Sequence, residues 1–308
     1  MTKRFLDCAI SELEQMTKTE LLYAIRASEG RVLVSETIAT MQPLLNTVTN
    51  AELAASQGAD LLLINLFDAA NPEIRGMPAE VEPENILHEL QRLTGRLIGV
   101  NLEAVDDEYA QANNEVWSMT AGRAATADNA RRLVAMGARF LVLTGNPSNG
   151  VSNRAIGRAL AEIKNAVGSQ IIVITGKMHA AGVLGESGAA IITPNDVAEF
   201  AQQGADIILI PAPGTVPGMS QARVTVLVDC AHRHNVLAMT AIGTSQEGAD
   251  ISTVRQIALM SKMAGADLHH IGDTGYMGIA LPENILAYSI VIRGVRHTYT
   301  RIARSINR

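Results

Sequence analysis

The chain has 308 residues, 47% of them hydrophobic, 18% charged and only 3% aromatic, a balance that suits one large core of buried parallel strands covered by helices and excludes recognition by aromatic stacking. A net charge of −6 and a pI near 5.7 exclude a nucleic-acid binder and leave a small metabolite as the expected partner. Cys8 and Cys230 form no Cys-x-x-Cys pair and are too few for a disulfide framework; no signal peptide or membrane span is readable, so a reduced, cytoplasmic setting is expected.

In chain order, residues Phe5 to Ser28 read as helix, with Leu6, Ile10, Leu13, Leu21, Leu22 and Ile25 as a buried stripe. This layer, within an N-terminal extension over residues 1–29, is expected to cover the N-terminal mouth of the strand assembly downstream. An internal repeat then sets the fold. Gly-Ala-Asp or Gly-Ala-Arg recurs at Gly58, Gly137, Gly204 and Gly265, each time before an apolar run, at intervals of 79, 67 and 61 residues. Each interval holds one further apolar run and another precedes Gly58, so the runs number eight, preceded by Gly30, Gly58, Gly95, Gly137, Gly168, Gly204, Asn235 and Gly265. These residue types best tolerate the left-handed conformation that ends a helix. Spacings of 28 to 42 residues leave room for one crossover helix per strand. Helix starts are marked too: Thr49 with Glu52 forms a capping box, and Thr193-Pro194-Asn195-Asp196 supplies a cap, a first-turn proline and an acid. The expectation is an α/β fold, one closed (β/α)8 barrel over residues 1–308. An open doubly wound sheet is the rival, but Ser35-Glu36-Thr37 follows the first strand where a dinucleotide fingerprint would stand.

Two connections, Phe67 to Glu82 and Val105 to Thr126 with the sole tryptophan Trp117, are long enough for lids, binding loops or contacts in a homo-oligomer. The last helix, from about Pro282, carries Arg293, Arg296, His297, Arg301, Arg304 and Arg308 towards its C-terminus, where cations complement the helix dipole; the expectation there is a solvated face or a subunit contact.

In such a barrel the chemistry sits at the C-terminal strand ends. Lys177, directly after Ile171 to Gly176, is a candidate base, Schiff-base former or anion holder. Glu36 and Glu103 end strands one and three in apolar surroundings, where a carboxylate with a raised pKa serves as general acid or base. His270 and Asp273, in His-Ile-Gly-Asp, complete the candidate catalytic set. Asn65, Asn101, Asn146 and His179 are candidate substrate contacts. The glycine turns after strands seven and eight, through Gly243, Thr244 and Ser245 and through Gly272, Thr274 and Gly275, are the expected phosphate site. Imidazole and carboxylate would suit zinc or manganese, but no pair has diagnostic metal spacing, so no cofactor is expected.

The quarter-barrel repeat and the paired glycine turns resemble the phosphate-binding (β/α)8 (TIM) barrel superfamily of sugar-phosphate epimerases, aldolases and isomerases. Gly99-Val100-Asn101 and Gly58 to Asn65 are faintly similar to BtpA-like barrels. The resemblance implies a small phosphorylated, sugar-derived carbonyl substrate and enolisation chemistry of carbohydrate metabolism, isomerase or lyase in class. A metal-dependent lyase or hydrolase and a barrel reused for assembly or regulation are the alternatives.

Overall fold

The computed structural model describes residues 3–106, 119–145, 151–179 and 188–308. Eight parallel strands close a barrel in sequence order: β1 (Val32–Ile38), β2 (Leu61–Asn65), β3 (Leu97–Leu102), β4 (Phe140–Leu143), β5 (Ile172–Gly176), β6 (Ile207–Pro211), β7 (Leu237–Ile242) and β8 (Leu268–Ile271). Closure comes from β1 pairing with β8, Val34 opposite His270. Each strand begins within a few residues of its expected stop. Gly30, Gly58, Gly95, Gly137, Gly204, Gly265 and Asn235 do adopt positive φ, whereas Gly168 ends its helix at φ −62°, so the left-handed expectation fails at that one position.

The two-residue period of the strands splits the side chains into two layers. Leu33, Leu62, Ile98, Leu141, Val173 and Ile208 face the helices, and Val34, Leu63, Phe140, Val142, Ile174, Leu209 and Met239 fill the barrel. Gly99 leaves room for this filling, because a Cβ there would lie 2.3 Å from the Phe140 ring. Higher in the barrel the inward positions turn polar, at Glu36, Asn101, Glu103, Thr144 and His270.

The outer helices start where the sequence marks them. Thr49 and Thr193 cap α3 (Asn50–Ser56) and α7 (Pro194–Gln202) with complete capping boxes. Between these lie α4 (Ile86–Thr94), α5 (Ala127–Ala135) and α6 (Asn153–Val167); α8 (Gln221–Arg233), α9 (Ile251–Met263) and α10 (Pro282–Ala303) come after them. The N-terminal layer is not one helix. It divides into a short 3-10 turn at Phe5–Asp7, α1 (Ile10–Gln15) and α2 (Lys18–Arg26), because Thr17 caps a fresh start with Glu20. Ile10, Leu13, Leu21 and Ile25 nevertheless join the barrel's lower core, as the stripe foretold, and Phe5, outside the stripe, joins them.

The basic end of α10 corrects the sequence reading. Arg293 and Arg301 are not solvated; both are buried and both pair with the fully buried Asp60 that precedes β2, Arg301 Nε lying 2.6 Å from Asp60 Oδ1. A continuous helix would separate the two arginines by about 12 Å along its axis. Gly294, at φ 75° and ψ 166°, breaks the helix between them, and Ser289 Oγ then meets Thr298 Oγ1 at 2.8 Å. Arg96 joins the cluster, donating to the carbonyls of Ala59 at 2.7 Å and Arg301 at 3.0 Å; burial, with the Arg301 charge, pulls it down to about 9. One carboxylate therefore faces three guanidinium groups, and backbone carbonyls take the surplus donors.

Among the described residues no helix is long and apolar enough to cross a membrane.

Candidate functional site

The polar upper layer of the barrel opens into a cleft of about 340 Å³. Its floor and walls bring together Glu36, Asn65, Asn101, Glu103, His179, Gly243, Gly272, Asp273 and Gly275 from the expected set, and add Arg123, Thr144, Met178 and Glu247. Strand alternation explains why Glu36 points inward: Val32 and Val34 lie in the barrel filling, and Glu36 is the next inward position on β1.

Glu36 is buried, and its Oε2 lies 3.0 Å from Nε2 of the fully buried His270 on β8. With Nε2–H donated to the carboxylate, His270 presents an Nδ1 lone pair that has no partner among the described residues. His270 stands behind Glu36 rather than in the cleft wall. It does not meet Asp273, with which the sequence had grouped it. Asp273 instead accepts from Asn65 Nδ2 at 2.8 Å and from the Gly275 amide at 2.9 Å, and Asn65 Oδ1 accepts from Asn101 Nδ2 at 3.1 Å. One asparagine thus ties β2, β3 and the turn after β8 into a single polar floor.

Burial pushes the Asp273 carboxyl up to about 7, with the neighbouring Glu36 charge acting in the same direction. Burial also raises Glu247, again with Glu36 adding to it, while the His270 ring and the Thr274 amide oppose the rise. His179 is pushed down by burial and by the nearby Lys177 charge, with Glu36 opposing. On this side the cleft crowds carboxyl groups, two of which are biased towards the neutral form.

The Asp273 shift also sets how stability depends on pH. A carboxyl raised in the folded state favours folding of its protonated form, so its cost appears as pH rises from its ordinary 3.8 towards 7 and is complete above that. The full rise corresponds to at most roughly 4 kcal/mol. Asp273→Asn, which imitates the neutral acid, is therefore expected to be more stable than the native chain at pH 8 and equal to it at pH 4; denaturant melts at the two pH values measure this, and equal stability at both refutes the burial cost.

The remaining candidates divide. Glu103 forms a close ion pair with Arg123, which reaches the cleft from a loop 20 residues further on. Lys177 follows β5 and is buried, yet the cleft wall at that strand is made by Met178 and His179. Since Ile172, Ile174 and Met178 share the interior while Val173 packs outside, the strand period places Met178 on the inside and Lys177 off it. Thr244 turns its hydroxyl to the Thr215 carbonyl at 2.8 Å, and Ser245 adopts φ 76°. Asn146 lies outside the described residues.

The expected phosphate site is only half open. After β8, the Gly272 amide donates to the Ile242 carbonyl at 2.9 Å, that of Thr274 to Glu247 Oε1 at 3.2 Å and that of Gly275 to Asp273 Oδ1. A backbone carbonyl and two carboxyl groups therefore occupy the donors assigned to an anion. After β7, the Thr244 and Ser245 amides donate to no group among the described residues.

Arg123 and Glu247 were missed in the sequence. Glu247 stands two residues past the Gly243, Thr244 and Ser245 turn, and an acid so close to a strand end was signal enough; Arg123 gave none, being brought in by a long loop. Among the described residues no group of three or more His, Cys, Asp or Glu is arranged to hold a metal.

A family model described as "Domain of unknown function (DUF7916)" matches residues 6–308. No curated protein matches the chain. Among solved structures, an archaeal fructose 1,6-bisphosphate aldolase is 14% identical with a TM-score of 0.56, over 89% of this chain and 98% of its own. Another archaeal fructose-1,6-bisphosphate aldolase, with its catalytic Lys covalently bound to the carbinolamine intermediate of the substrate, is 16% identical with a TM-score of 0.56, over 90% and 100%. At these identities the likeness is one of fold: a closed eight-stranded parallel barrel with alternating helices, of the TIM type.

Proposed function

The chain belongs to the DUF7916 family, and we propose from that premise and from its cleft that it is an enzyme that moves a proton beside a carbonyl group of a small phosphorylated, sugar-derived compound. The observation that carries this reading is that two buried carboxyl groups in different settings line one cleft. Glu36 Oε2 lies 3.0 Å from the His270 Nε2, and the Asp273 carboxyl is biased towards its acid form by burial.

In the proposed step the Glu36 carboxylate takes the proton from the carbon next to the carbonyl. The C–H electron pair forms the new C=C bond, the carbonyl π pair moves to oxygen, and Asp273 gives its proton to that oxygen, leaving an enediol and an Asp273 carboxylate. Return of the two protons, to a different carbon or face, completes an isomerisation or epimerisation and restores both groups. Burial keeps each carboxyl where water does not level its proton affinity. His270 is a positioning residue, and Arg123 supplies the cleft's guanidinium charge.

A phosphate is proposed at the turn after β7, where the Thr244 and Ser245 amides are open. The aldolases of this fold are named for a phosphorylated sugar, but the amides of this chain are what support the assignment here. Lys177, off the cleft wall, favours acid–base chemistry over a Schiff base.

The test is deuterium wash-in. Incubated in D2O with phosphorylated ketoses and aldoses from triose to heptose, the protein should remove the NMR signal of the proton next to the carbonyl in at least one of them. Borohydride should trap no substrate-dependent adduct on Lys177. Absence of exchange across the panel sinks the reading, and a trapped adduct replaces it with an aldolase.

A further inference from the structure

The cleft's acidic side lacks a partner of a particular kind. Glu247 is 3% exposed and lines the cleft; its Oε1 takes the Thr274 amide at 3.2 Å, and its Oε2 has no partner among the described residues. Asp273 stands beside it in the cleft wall, each of its oxygens accepting one hydrogen bond, from Asn65 and from the Gly275 amide. Asn101 Oδ1, also buried, has no partner among the described residues either. The open positions on this side are acceptors, and a buried acceptor left unpaired costs about 1–3 kcal/mol. A ligand that fits must bring donors and, beside two carboxyl groups, positive charge.

Resting on the reading above for where the reacting carbon lies, we propose that Glu247, with the Asp273 carboxyl beside it, holds a primary ammonium group of the substrate, which makes the substrate class the amino-bearing sugar phosphates. An ammonium group carries three donors, a positive charge and no acceptor, whereas a hydroxyl brings one donor and no charge, and a carboxylate or phosphate is repelled. Arg123 does not compete for this place, because its guanidinium is engaged with Glu103. A divalent cation is the other positively charged, acceptor-free partner for carboxylates, but the described residues offer it no set of three ligands.

The experiment separates binding from turnover by using ligands that have no carbonyl to enolise. Calorimetric titration of the wild-type protein with glucosaminitol phosphate, glucitol phosphate and manganese chloride alone compares the ammonium, the hydroxyl and the metal. The amino compound is expected to bind at least about tenfold more tightly than the alcohol, and Glu247→Gln should erase that difference. Equal affinity for amine and alcohol, binding of neither, or a preference for manganese overturns the proposal. An amine preference without deuterium wash-in would instead leave the ammonium site standing and remove the enolisation reading.

Discussion

Glu36→Gln is expected to lower deuterium wash-in by about 10²–10⁴, the range that a positioned general base contributes. The amide keeps an oxygen for the His270 Nε2–H, now found 3.0 Å from Glu36 Oε2, so the barrel should fold unchanged and ligand affinity should survive. What disappears is the group that accepts the proton. His270→Asn is expected to act through Glu36, lowering kcat more than it raises KM. Asp273→Asn should remove the limb near pH 7 from the native pH–rate profile, because the group that titrates there is gone. If Glu36→Gln keeps activity within a few fold of native, another residue is the base, and the Glu103–Arg123 pair is the next to be replaced.

Asp60→Asn is expected to cost about 3–5 kcal/mol in stability, the usual consequence of removing one partner of a buried ion pair. Burial alone would raise the Asp60 carboxyl, but Arg293 and Arg301 together hold it below its ordinary value. A depressed folded-state pKa contributes stability that is present above the unfolded-state pKa of 3.8 and lost as pH falls through the folded value, so the native chain should lose this contribution only in acid. Urea melts of both proteins at pH 7 and in acid measure it: the gap should be wide at neutrality and narrow at low pH. A cost below about 1 kcal/mol at pH 7, the size of an exposed pair, would mean that the carbonyl contacts of the arginines suffice without Asp60.

The barrel was legible because each strand is announced locally. A glycine or asparagine stop stands next to the run it introduces, and a two-residue period inside the run shows which side chains share a face. A polar residue at a strand end was the mark that made Glu36, Asn65, Asn101 and His270 candidates. It failed for Lys177 because the polar residue just past a strand advertises itself by chemistry, whereas parity with Ile172 and Ile174 assigns the inside to Met178. Arg123 was invisible for another reason: its place depends on the path of a loop, and loops leave no periodicity to read. The phosphate turn after β8 was misjudged because glycine shows that amides are exposed to something but not to what, and Glu247 and Asp273 reach them first. The arginines of α10 misled because helical patterning assumed a continuous helix, which Gly294 interrupts.

That interruption bears on how the chain is made. Asp60 is separated by 233 residues from Arg293, and Arg301 lies further on still. A ribosome releases the β2 segment long before either cation exists, and a carboxylate without its counter-ions resists leaving water. The early βα units can therefore gather their apolar strands during synthesis but cannot seat Asp60, which must stay hydrated until the last helix emerges and folds back over the base. Assembly is in this respect gated by the synthesis of α10: the place of Asp60 is completed by residues that lie 233 and more positions downstream.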